Sequence, residues 1–162
     1  MIFVTIGMQE PFDRLVRAMD EVAPSLEGMP VVAQVYAPTY QARHIQTFEL
    51  VSPAEFDDYF NRATLIVAHA GMGTIISALV KGKPLIVLPR LKKYKEHRSD
   101  HQFATADAIR QLNYVHVASD ENDLKHKVIE IVRGRAQGSL HRIGPYASPE
   151  LIHSLRQHIG LH

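Results

Sequence analysis

Apolar residues along this chain fall into short dense runs, separated by stretches in which they recur every three or four positions. That alternation predicts strands followed by helices. Residues 2–6 (IFVTI) read as a buried strand. The turn Gly7-Met8-Gln9-Glu10 then leads into a helix from Pro11, with Phe12, Leu15, Val16, Met19 and Val22 on one face. Residues 31–36 form the next strand and 44–51 a weaker third. Ser52-Pro53-Ala54-Glu55 follows, with capping-box spacing and proline at the first helical position; Phe56, Tyr59 and Phe60 then face the core. Residues 64–68 are again strand-like and pass through His69-Ala70-Gly71-Met72-Gly73-Thr74 into a helix marked by Ile75, Ile76, Ala78 and Leu79, which Gly82 ends. Residues 84–88 predict a fifth strand, 100–112 a helix, 114–118 a last strand. A final helix spans 120–133, capped by Ser119 or Asp120, with Gly134 just past its end.

Strands alternating with helices imply right-handed crossovers and an α/β fold: a Rossmann-like, doubly wound, mostly parallel six-stranded sheet covered on both faces. Its default strand order is 3-2-1-4-5-6. The first and fourth strands are then neighbours, and the crevice at their carboxyl ends is where such sheets bind ligands. Both glycine turns, at Gly7 and at Gly71 and Gly73, fall on those two ends. Glycine lets the chain turn without a Cβ clash, so main-chain N–H groups and the positive end of a helix dipole can face an anion. A glycine pair also serves as a plain strand-to-helix turn; the shared position of the two turns favours a phosphorylated ligand. Gly7, Met8, Gly71, Met72, Gly73 and Thr74 are its candidate contacts.

Composition narrows the class. At 162 residues, with 46% hydrophobic and 22% charged residues, the chain suits one globular domain, and no apolar run approaches the roughly 20 residues that cross a bilayer. Met1 opens directly on a strand without a signal-like segment, and cysteine is absent, which together lead to the expectation of a cytoplasmic protein. A net charge of +1 argues against a nucleic-acid binder. Charge is nevertheless concentrated: Lys81, Lys83, Arg90, Lys92, Lys93, Lys95 and Arg98 face only Glu96 and Asp100 over residues 81–100, a local excess suited to a small anion. The expected organisation is a Rossmann-like domain over 1–134, a glycine-rich basic linker over 135–147 and a short helix over 148–162. That helix carries Leu151, Ile152, Leu155 and Ile159, and docks either on its own sheet or on a partner.

Several chemistries fit poorly. The dinucleotide pattern is incomplete at both turns, and Ala37 and Pro38 stand where an acidic residue would follow the second strand. No Gly-Lys-Ser/Thr closes either turn, as a Walker loop requires. No D-x-D pair is present. His97 and His101 have helical metal spacing but no evident third ligand, so no metal and no cofactor is assigned. The cluster Glu96, His97, Asp100, His101 and Gln102 instead offers the donors and acceptors a hydroxyl-rich sugar needs, although Ser99 or Asp100 could equally cap a helix there.

The phrases HAGMGT, ALVKGKPLIVLP and EHRSDHQ resemble, in that order, the C-terminal donor-binding domain of family 28 glycosyltransferases, half of the two-domain GT-B fold. The likeness covers about residues 1–134 and is nearest to single-domain members that act as the soluble subunit of two-subunit enzymes, including bacterial exopolysaccharide-pathway proteins. The resemblance implies a glycosyltransferase half-domain whose Gly7 turn and 71–74 turn hold the diphosphate of a nucleotide sugar, UDP-linked by analogy. Asp100, His101 and Gln102 would hold the sugar. His69 and Arg90 would border the cleft as candidates for catalysis, Arg90 as a cation near the leaving diphosphate. The general base would lie on a separate membrane-anchored subunit that binds a lipid-linked acceptor and recruits this chain to the membrane. One departure stands out: related enzymes carry a ribose-binding Glu five residues before the Gly-Lys-Pro glycine, where this chain has Ser77. An NADP-dependent oxidoreductase, with Arg90 reading a 2′-phosphate, and a non-catalytic nucleotide-binding module are the rival classes.

Overall fold

The computed structural model describes residues 1–49, 51–96, 106–107, 110 and 115–135. Six parallel strands form one sheet: β1 (Ile2–Thr5), β2 (Val31–Gln34), β3 (Gln46–Phe48), β4 (Leu65–His69), β5 (Leu85–Leu88) and β6 (His116–Val117). Their spatial order is β3-β2-β1-β4-β5-β6, the order expected of a doubly wound sheet. Helices α1 (Asp13–Val22), α2 (Pro53–Arg62), α3 (Met72–Lys81) and α4 (Glu121–Val132) make the crossovers and the outer layers. Ala106, Asp107 and Arg110 are helical as well, and the rest of the helix expected over 100–112 lies outside the described residues.

Strand alternation divides the core in two. Ile2, Val4, Leu65, Val67, Ile86 and Leu88 point to one face and pack with Leu15, Val16 and Met19 of α1 and Leu124 and Val128 of α4. Phe3, Ile66, Ala68, Leu85 and Val87 point to the other, against Phe60 of α2 and Ile75, Ala78 and Leu79 of α3. Phe3 is fully buried and stacks on Tyr59 with ring centroids 5.7 Å apart, while Phe56 meets its edge at 5.4 Å. Such aromatic pairs add about 0.5–1.5 kcal/mol each beyond area burial. They seat α2 against the β1–β3 half of the sheet.

Local chemistry sets the helix ends. Ser52 caps α2 in a reciprocal capping box with Glu55, and Pro53 occupies the first turn. Asp120 caps α4 by accepting from the amides of Asn122 and Asp123. Gly82 closes α3 at φ +62°, a left-handed conformation that costs glycine little. Helix α1 starts at Asp13, two residues later than its Pro11 suggests, because the Pro11 carbonyl accepts from Arg90 and Phe12 becomes the cap position. Helix α3 starts earlier than its apolar spacing suggests, so Gly73 and Thr74 belong to its first turn.

Candidate functional site

Strand register brings the two glycine turns together. Thr5 pairs with Ala68 and His69 with Leu88, so the chain leaves β1, β4 and β5 at nearly one level, carrying Gly7, Gly71 and Arg90 to the carboxyl edge. This is where the winding direction of the sheet reverses, β1 leading toward β2 and β4 toward β5.

The Gly7 turn is held from three sides. Gly7 sits at φ +75°, in the region that side-chain-bearing residues rarely adopt. Gln34, 3% exposed at the end of β2, donates to its carbonyl at 3.3 Å and itself accepts from the Thr5 hydroxyl at 2.9 Å. His69 presses on the opposite flank: a Cβ on Gly7 would lie 3.0 Å from its Cε1. Beneath, Arg90 donates to the carbonyls of Ile6 (2.8 Å), Glu10 (2.7 Å) and Pro11 (2.6 Å).

The second turn leads straight into a helix. Gly71 is the N-cap of α3 and offers no side chain to the first-turn amides of Met72, Gly73 and Thr74. Those N–H groups and the helix dipole give an anion-receptive end, and among the described residues beyond its own helix a Cβ at Gly73 would meet nothing within 4 Å. Gly71, by contrast, is packed against the His69 ring, which thereby wedges between both turns. Met8 and Met72, the residues next to the two turns, are 57% and 49% exposed; Tyr36 and Ile76 are exposed apolar residues as well.

Beside the Gly7 turn lies a hollow of about 370 Å³. Met8, Val51 and Phe56 supply its apolar walls and Gln34, Glu49 and Asp57 its polar groups. A second hollow of about 520 Å³ lies beyond β5 and β6, between Leu91, Lys93, Arg110 and Ser119. Among the described residues, no three His, Asp or Glu side chains converge closely enough to hold a metal ion.

Two expected contacts hold other posts. Arg90 is 3% exposed, stacks on the Phe12 ring at 4.5 Å and spends its guanidinium on main-chain carbonyls, so it supports the crevice from below instead of presenting its charge into it. Burial pulls its pKa down, and the nearby Glu96 and Glu10 charges counter only part of that. Glu96 is committed likewise: its carboxylate receives both Nε and Nη2 of Arg14, at 2.7 and 2.9 Å, and the Leu91 amide at 3.0 Å. Burial opposes the Arg14 charge, but Glu96 and Glu121 outweigh it and raise the pKa. His97, Asp100, His101 and Gln102 lie outside the described residues, as do the helix expected over 148–162 and, beyond Arg135, the linker expected over 135–147. Gln34 and Arg14 escaped the sequence reading. The one visible sign of Gln34 was a polar residue inside an apolar run; Arg14 looks like any charged helix position.

The sequence profile described as the glycosyltransferase family 28 C-terminal domain matches residues 1–142. The chain belongs to that family. A curated relative, the UDP-N-acetylglucosamine transferase subunit ALG13 of Cryptococcus neoformans var. neoformans, is 36% identical over 76 residues, which are 46% of this chain and 36% of the relative. The chain thus aligns with about a third of the curated relative's length. An NMR structure of ALG13 superposes with a TM-score of 0.57 at 18% identity, covering 95% of this chain and 93% of that one. The UDP-GlcNAc 2-epimerase of Neisseria meningitidis bound to UDP-GlcNAc superposes with a TM-score of 0.63 at 13% identity, over 96% of this chain and 44% of the epimerase. At these identities the structural likeness shows the family 28 chain to have the Rossmann-like fold of GT-B proteins. Ser77 is half-buried on α3.

Proposed function

We propose that this chain is the donor-binding subunit of a two-component GT-B glycosyltransferase that moves a sugar from a UDP-sugar to a lipid-linked acceptor in polysaccharide or glycan assembly. The observation that carries the reading is the pair of glycine turns at the β1 and β4 ends, one leading into an uncapped helix N-terminus and both packed on the His69 ring. Family membership supports the same reading, as does the likeness to ALG13, a subunit of a UDP-N-acetylglucosamine transferase.

In this reading the diphosphate lies across the 71–74 turn, where main-chain N–H groups and the α3 dipole offset the negative charge that grows on the leaving group. The hollow lined by Met8, Phe56, Gln34 and Glu49 takes the nucleoside, with apolar walls for a planar base and a carboxylate for ribose hydroxyls. Glu49 would then supply what Ser77 lacks. The sugar extends toward Asp100, His101 and Gln102. The acceptor hydroxyl and its general base come from a membrane-anchored partner, which also brings this chain to the bilayer. Exposed Met8, Tyr36, Met72 and Ile76 give such a facing subunit an apolar rim to cover.

Calorimetry of the chain with UDP, UDP-N-acetylglucosamine and NADPH tests the donor half. Binding of UDP and not of NADPH is expected, and tight NADPH binding with no UDP binding would overturn the reading. Coexpression with a candidate membrane subunit tests the other half. Robust sugar transfer by the purified chain alone would sink the obligate-partner idea, and transfer that survives substitution at Gly71 and Gln102 would make the chain a non-catalytic module.

A further inference from the structure

Arg90 touches two segments that no strand pairing connects. Its Nη2 binds the carbonyls of Ile6 and Glu10, and its Nη1 binds that of Pro11, which together frame the Gly7 turn. The same Nη1 also reaches the Glu96 carbonyl at 3.2 Å. Glu96 is the last described residue before the polar segment 97–102 assigned to the sugar. One planar guanidinium therefore fixes the spacing between the start of that segment and the turn assigned to the diphosphate.

The Glu96 side chain is locked from the other side. Arg14 grips its carboxylate bidentately, donates to the Pro89 carbonyl at 2.8 Å and pairs with Glu121 at 3.3 Å, while Glu96 also receives the Leu91 amide. Both arginines stack on the Phe12 ring, Arg90 at 4.5 Å and Arg14 at 5.3 Å, so a single buried aromatic at the start of α1 registers the two guanidinium planes.

We infer that Arg90, with Arg14 and Glu96, is a positioning device that couples the phosphate turn to the sugar-binding segment and so sets how much affinity the sugar adds to the nucleotide. The inference rests on the donor-binding reading above. Arg90 acts through main-chain carbonyls, not by contact with the donor. Lysine keeps the charge but is a compact donor on a flexible stem, and it cannot hold four carbonyls on two segments in one plane. A direct phosphate contact would tolerate that replacement better than a spacer would, since lysine binds phosphate well as a point charge.

The test uses the full chain, with UDP and UDP-N-acetylglucosamine as probes, and compares wild type, Arg90→Lys and Glu96→Gln. In Arg90→Lys, UDP affinity should stay within about threefold of wild type, while the extra affinity given by the sugar falls about tenfold or more, the scale of a small misplacement in a binding site. Glu96→Gln keeps an acceptor oxygen and loses the charge, and it should move the same ratio less. Equal loss of both ligands would make Arg90 a phosphate contact and overturn the coupling. So would an unchanged ratio, or a wild-type chain that binds both ligands equally. Amide exchange without ligand is the second readout, independent of the donor reading. Arg90→Lys should raise exchange at residues 7–12 and at 95–96 together, and a rise in only one segment would refute the coupling even if neither nucleotide binds.

Discussion

A side chain on Gly71 and the imidazole of His69 would claim the same volume: a Cβ at Gly71 would overlap Nε2 and lie 3.0 Å from both Cδ2 and Cε1. On the other flank of the ring, a Cβ at Gly7 would lie 3.0 Å from Cε1. The two turns are thus fitted to one imidazole.

Gly71→Ala should therefore push the ring or the turn by several tenths of an ångström. UDP binding is expected to weaken about tenfold or more, with a stability loss of about 1–3 kcal/mol, the range for overpacking. Calorimetry and thermal melting read the two effects separately. His69→Ala opens the same space, so the Gly71→Ala, His69→Ala double variant should melt no lower than His69→Ala alone.

Gly73→Ala is the contrasting case. Among the described residues beyond its own helix, its Cβ would meet nothing within 4 Å, and the residue sits in the first turn of α3. Alanine there should leave stability unchanged or raise it by up to about 1 kcal/mol. Loss of UDP binding without loss of melting temperature would identify this face as the one a ligand approaches.

Asp20, 2% exposed, gathers the 40–45 segment onto α1 by accepting from the Tyr40 hydroxyl at 2.7 Å and from the amides of Arg43, His44 and Ile45. Burial alone would raise its pKa, but the Tyr40 hydroxyl and those amides outweigh it and hold the carboxyl below its ordinary value. A depressed folded pKa gives stability that is present above the unfolded value near 3.9 and is lost as pH falls through the folded one. Wild type should hold its stability down to about pH 4 and lose it below, whereas Asp20→Asn should start lower and show a flatter acid limb. Chemical denaturation between pH 7 and 3 measures the difference; parallel curves would refute the assignment. Asp20→Ala, which strands several donors, should cost about 3 kcal/mol at pH 7.

Lys95 ends a short helical turn at φ +58°, a left-handed conformation that favours glycine. Lys95→Gly should relieve that strain and raise stability by about 0.5–1 kcal/mol, read as a small rise in melting temperature. A drop would mean that the lysine side chain contributes more than its backbone costs.

Glu49→Gln probes the nucleoside hollow. Glu49 is exposed on the connection after β3, and its carboxylate is one of two lining that hollow. If it meets the ribose, UDP affinity should fall about tenfold with melting unchanged, because a hydrogen bond to a charged group is worth roughly 1.5–3 kcal/mol. Unchanged affinity would leave the ribose to another group.

The amino-acid pattern alone determined the periodicities, and with them the elements. Parallel sheets bury both faces, so β1, β2, β4 and β5 show as apolar runs, and the alternation with helices restricts the winding to one hand. Caps such as Ser52 and Asp120 were legible because they act within four residues. Glycine turns were legible for the same reason. What a side chain touches across dozens of residues was not. Arg90 lies 79 positions from Pro11 and Arg14 lies 82 from Glu96, and no local rule separates a cation that meets a phosphate from one that pins carbonyls. Tertiary packing made that choice: in the low dielectric beneath the sheet edge a guanidinium must spend its donors on whatever oxygens stand there, and those belong to the backbone of the Gly7 turn and to Glu96.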